Sequence, residues 1–147
     1  YEPHNQSSNG RPMLDYFFSN GTRDPSAFLS VPAAIAFMEK YHWDEVRWQC
    51  HTLLCQAIER ICSLTGLPPA YPLDSDFYSQ MAIAPLSPVK EAAILSKRLL
   101  DEYRIVIPIT KHREQLYARI SVQAYVTRRD IDILVKALET LLPELAK

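Results

Sequence analysis

Arg119 stands in the segment LYARISVQAYV, whose alternation places it on one side of a strand with Tyr117, Ser121, Gln123 and Tyr125. Ala118, Ile120, Val122 and Ala124 take the opposite, apolar side. A guanidinium held on such a face can grip a carboxylate through two parallel hydrogen bonds, and it stays charged at any physiological pH. The same spacing also suits an exposed arginine paired with Asp or Glu. A second candidate anion site is the stretch NGTRDP at 20–25. There Gly21 would let the backbone approach an anion closely, Thr22 would supply a hydroxyl donor, and the helix start behind it would add free N–H groups. Capping of the next helix by Asp24 accounts for the same residues.

Other chemistry-bearing residues form no pattern. The carboxylates offer no acid–base pair: Asp130 lies three residues after Thr127 in capping-box spacing, Asp101 and Glu102 fall at a helix end, and Asp74 and Asp76 lie in a generic loop. No Ser-His-Asp or Cys-His arrangement can be argued from spacing. His4, His42, His51 and His112 are scattered without the pairing on one helical face that a metal site uses. Cys50, Cys55 and Cys62 fall within one expected helix, with neither CxxC spacing nor a disulfide framework, and read as packing residues in a reducing compartment.

The elements that must position these residues follow from periodicity and punctuation. Asp24 and Pro25 open a short helix that breaks near Ser30 and restarts as VPAAIAFMEKY. Apolar residues at helical spacing from Asp44 to about Thr65, stopped by Gly66, predict the longest internal helix. QMAIAPL reads as a short buried strand ended by Pro85, and Ser87 and Pro88 as the start of a helix reaching about Tyr103. RIVIPI reads as a second strand limited by Pro108, TKHREQL as a loop, and the Arg119 segment as a third strand. Ile131, Leu134, Val135, Leu138 and Leu142 then give a long amphipathic helix. The fold class is α/β, a small, mainly antiparallel three-stranded sheet covered by helices.

Composition narrows the function classes. Sixteen basic and seventeen acidic residues nearly cancel in a chain of 147, with no basic track for a phosphate backbone, which argues against nucleic acid. No apolar run approaches the roughly 20 residues that span a bilayer, so no membrane association is expected and a cytoplasmic protein is. Residues 1–20 read as a connector with an apolar patch at Met13 to Phe18, and 21–147 as a small domain following a missing larger one. The expectation is a piece of a longer polypeptide.

Two blocks, GTRDPSAFLSVPAAIAF and YARISVQAYVTRRDIDILVKAL, together with DEYRIVIPI, resemble the C-terminal part of the pyridoxal-phosphate enzymes of the class V aminotransferase group, in particular their isopenicillin N epimerase-like members. The resemblance runs from about residue 12 to the end. It implies the small domain of a fold-type I enzyme acting on an amino acid, as an epimerase, lyase or transaminase. It implies pyridoxal 5'-phosphate in the full-length parent, a homodimer, and a large N-terminal domain carrying the Schiff-base lysine. By the same resemblance Gly21 and Thr22 would reach the cofactor phosphate of the neighbouring subunit, and Arg119 would bind the substrate α-carboxylate.

Departures from the pattern carry information. Val126 stands where the group often has Asn, while Thr127 still supplies a cap. The loop before Arg119 lacks the nucleophilic cysteine of the desulfurases. Lys40, Lys90, Lys97, Lys111, Lys136 and Lys147 all read as helix-surface, loop or terminal residues, so the segment alone would catalyse nothing. The competing reading is a free-standing, non-catalytic module that binds a small ligand or a protein.

Overall fold

A computed structural model describes residues 24–73 and 77–146. Gly21, Thr22, the Met13 to Phe18 patch and the expected boundary after residue 20 lie outside the described residues. The described chain divides into two units between Tyr41 and His42.

In the first unit the backbone N–H and hydroxyl of Ser26 donate to the two oxygens of Asp24, at 2.9 and 2.7 Å. These bonds, the hydroxyl's above all, hold the Asp24 carboxyl below its ordinary range. Helix α1 (Ser26–Leu29) follows, and α2 (Val31–Lys40) restarts after Ser30 with its proline in the first turn. The expected break and restart are therefore observed, and neither helix buries a residue.

The second unit opens with α3 (Trp43–Thr65), which buries Cys50, Leu54, Ala57, Ile58 and Ile61. Gly66 ends it at φ 69°, a left-handed conformation that glycine adopts without a Cβ penalty, and its N–H donates to the Cys62 carbonyl at 2.8 Å. Strands β1 (Met81–Leu86), β2 (Ile109–His112) and β3 (Gln115–Ser121) form one antiparallel sheet in the order β1-β3-β2. Helices α4 (Ala92–Tyr103) and α5 (Arg128–Leu145) complete the unit. The α/β class with a three-stranded antiparallel sheet is as expected.

Several boundaries differ from the expected ones, each for a physical reason. Pro85 lies inside β1 and pairs with Tyr117, because β1 is an edge strand and the ladder does not need its missing N–H. Helix α4 begins at Ala92 and not at Ser87: the Lys90 N–H is taken by the Leu145 carbonyl at 3.2 Å, and Glu91 is extended. RIVIPI is not a ladder strand. Arg104 is left-handed at φ 60° and closes α4, with the Ile105 N–H reaching back to the Leu99 carbonyl at 2.9 Å. Pairing then starts at Pro108, whose carbonyl accepts the Arg119 N–H at 2.9 Å. Most of TKHREQL therefore belongs to β2 and β3, joined by a tight turn in which Arg113 takes φ 52°. The third strand stops at Ser121, which leaves Ala124 exposed.

The core lies against one face of the sheet. Ala82, Ala84, Leu86, Leu116, Ala118 and Ile120 are buried with the inner residues of α3, α4 and α5. Burying such apolar surface is the main favourable term in holding the layers together. Arg98 of α4 reinforces them through ion pairs to Glu102 on its own helix and Glu144 on α5.

Candidate functional site

Arg119 sits in the middle of the central strand, on the face away from the core. The residue opposite it on β1 is Ile83, and the position facing it on the other side is Pro108, where its backbone N–H is bound. Two residues before and after it on the same face stand Tyr117 and Ser121. Directly opposite cross-strand neighbours lie about 5 Å apart at Cβ, and residues two apart on one strand about 7 Å, so these are the groups that would compensate a charge. None of the four is acidic. Among the described residues no ion pair or side-chain hydrogen bond to the Arg119 guanidinium occurs, although its side chain is exposed. The reading of Arg119 as a paired surface arginine finds no partner here. Its five donors are available to a planar anion.

The backbone that carries this arginine is tied down beyond the end of the strand. Beyond Ser121 the Val122 N–H donates to the Gln80 carbonyl at 2.8 Å, and the Gln80 amide donates to the Val122 carbonyl and to Gln123 at 3.2 and 3.1 Å. The expected capping box at Thr127 is present. The Thr127 N–H donates to Asp130 at 2.7 Å, and the Asp130 N–H donates to the Thr127 hydroxyl at 3.3 Å. The backbone bond, then the hydroxyl's, holds the Asp130 carboxyl below its ordinary range. A short connector, 122–127, thus leads from the strand into the capped first turn of α5.

A second constellation escaped the sequence reading. His51 and Cys55 lie one turn apart on α3, and their Nε2 and Sγ atoms are 3.5 Å apart. The signal was the i, i+4 spacing of a histidine and a cysteine within a helix. The rest of the cluster comes from the loop before β1: Tyr78 Oη lies 3.6 Å from Sγ, and the Leu73 and Ser79 carbonyls bond the thiol and the imidazole. Of two open grooves, of about 480 and 210 Å³, the larger runs past Cys62 and Pro68 to Leu73 of this cluster, and the smaller runs past Leu138 and Pro143. Neither is lined by Arg119. Among the described residues no group of three or more His, Cys, Asp or Glu is arranged to hold a metal, and no helix is long and apolar enough to cross a membrane.

No family model matches the chain. Among curated proteins it is similar to isopenicillin N epimerase of Amycolatopsis lactamdurans, with 31% identity over 121 residues, or 82% of this chain and 30% of the relative. Among solved structures it is similar to 8-amino-7-oxononanoate synthase from Francisella tularensis, with a TM-score of 0.55 and 19% identity over 90% of this chain and 38% of that one. The chain thus spans about a third of the length of each. The sequence relative supplies the family and the solved structure the fold: this chain is an isopenicillin N epimerase-like C-terminal domain of the fold-type I, pyridoxal-phosphate class.

Proposed function

We propose that this chain is the substrate-gripping domain of a pyridoxal-phosphate-dependent enzyme, and that Arg119 binds the α-carboxylate of its amino-acid substrate. The observation that carries the reading is the guanidinium in the middle of β3, with Ile83, Pro108, Tyr117 and Ser121 around it and no acidic partner among the described residues. A carboxylate there would meet two parallel N–H groups flanked by apolar side chains and hydroxyls. A bidentate, charge-assisted contact of this kind is stronger than one between neutral groups.

The residues present fit the substrate end of such a site. Gly21 and Thr22 remain the proposed contacts to the cofactor phosphate of the neighbouring subunit in a homodimer; they lie outside the described residues. Three of the lysines are engaged elsewhere: Lys97 pairs with Asp101, Lys111 with Glu114, and Lys40 lies over the Tyr41 ring. The lysine that carries the cofactor would belong to a large N-terminal domain. When bound, pyridoxal phosphate supplies the electron sink for a carbanion at the substrate α-carbon. This domain's part is to orient the amino acid by its carboxylate, and epimerisation, elimination and transamination would all use that grip.

The test is Arg119→Ala and Arg119→Lys in the full-length protein. We expect the alanine variant to keep the visible absorption of the bound cofactor and to lose tens-fold in affinity for its amino-acid substrate. The lysine variant should recover only part, because an ammonium cannot reproduce the planar two-bond contact. Unchanged turnover of amino acids by Arg119→Ala would overturn the carboxylate assignment.

A further inference from the structure

The His51–Cys55 pair is independent of Arg119 and belongs to no part of the function proposed above. His51 Nδ1 lies 2.8 Å from the Ser79 carbonyl, which can only accept, so Nδ1 carries the hydrogen and Nε2 is left as a base. That nitrogen is 3.5 Å from the Cys55 sulfur. The Ser79 carbonyl would also stabilise the imidazolium formed when Nε2 takes a proton, which is the arrangement of a nucleophile, a base and a group that orients the base.

Of the other neighbours of the sulfur, the Leu73 carbonyl accepts from the protonated thiol and the Tyr78 hydroxyl can donate to a thiolate. In the resting arrangement the thiol donates to the Leu73 carbonyl at 3.1 Å, and the Tyr78 hydroxyl donates to the same carbonyl at 3.1 Å. Tyr78 Oη is also 3.6 Å from the sulfur, so a small rotation of its hydroxyl hydrogen turns it toward a thiolate. Once the proton has moved to His51, the thiolate would have two donors, the imidazolium and the phenol. The Tyr78 ring lies beside the imidazole, with centroids 5.3 Å apart, and holds the group together. All three residues are half-buried, in contrast to the fully buried core around Leu54 and Ile58.

The other two cysteines lack these features. Cys50 is buried in the core at 5% exposure. Cys62 is two turns further along α3, and burial pushes its thiol above the usual range. No hydrogen bond to a histidine occurs at either among the described residues.

We propose that Cys55 is a modification site, a thiol deprotonated by His51 and oxidised by hydroperoxides to a sulfenic acid. His51 Nε2 takes the thiol proton, and the thiolate sulfur attacks one peroxide oxygen. The S–O bond forms as the O–O bond breaks, sulfur giving up two electrons to the peroxide. The leaving oxygen takes the proton from His51, and water or an alcohol departs.

The experiment is treatment of the full-length protein with hydrogen peroxide, trapping of sulfenic acid with dimedone, and quantification of each cysteine-containing peptide by mass spectrometry. Cys55 should be trapped at least about tenfold faster than Cys50 or Cys62, in keeping with control of reactivity by thiolate and exposure. His51→Gln keeps a hydrogen-bonding group toward Ser79 but removes the base. It should slow Cys55 about tenfold while Cys50 and Cys62 are unchanged, which also reports an intact fold. Tyr78→Phe should slow Cys55 by a smaller factor. If Cys62 reacts as fast as Cys55 in the unmodified protein, or if His51→Gln leaves the Cys55 rate as it was, the proposal is wrong.

Discussion

At the scale of single residues, position decides what a side chain can do. Arg119 and Arg98 are both arginines, yet Arg98 is committed to Glu102 and Glu144 while Arg119 faces Ile83 and Pro108. The Thr127–Asp130 box shows the same dependence and gives a prediction. Thr127→Ala should cost about 1 kcal/mol of stability, measured by thermal or denaturant unfolding. Asp130→Asn should also destabilise, in a pH-dependent way. The folded-state pKa of Asp130 is depressed, so its stabilisation is present above the unfolded carboxyl value, about 3.9, and is lost as pH falls through the folded one. The difference in melting temperature between the two proteins should therefore shrink on acidification. Thr127, Asp130 and the polar face of Arg119 were legible in the sequence because each depends on neighbours within a few residues. The environment of Cys55 was not, since Leu73, Tyr78 and Ser79 reach it from across a loop.

At the scale of elements, small residues set how closely the helices approach the sheet. Ala84 and Ala118 are wholly buried and directly paired, and Ala57 and Ala137 are wholly buried on α3 and α5. Ala118→Leu should overpack this layer and cost on the order of 1–3 kcal/mol, read from denaturant unfolding with the slope unchanged. The long helices were legible because 3.6-residue spacing, a cap and a terminal glycine all agreed over α3 and α5. The strands were misplaced where proline was read as a boundary. Pro85 is tolerated inside β1 because an edge strand has one unpaired side, whereas Pro108 precedes its strand because pairing begins at its carbonyl. Which side of a proline the ladder occupies depends on the neighbouring strand, and local sequence does not contain it.

At the scale of the molecule, the second unit holds a complete core. Every buried apolar residue from Cys50 to Leu142 belongs to it, and α1 and α2 add none. A polypeptide of residues 42–147 should therefore fold on its own, with a single cooperative transition and dispersed amide resonances; a non-cooperative melt would show that stability is drawn from elsewhere. The strand order carries a further consequence. Among the described residues both β1 and β2 pair only with β3, the last of the three in sequence and the middle one in space. A nascent chain leaving the ribosome must therefore hold β1 unpaired through the synthesis of α4 and β2, with the sheet closing only after Ser121 emerges and α5 ready to seal it. Arg119, on the strand that closes the sheet, is thus set in place by the last pairing step of folding.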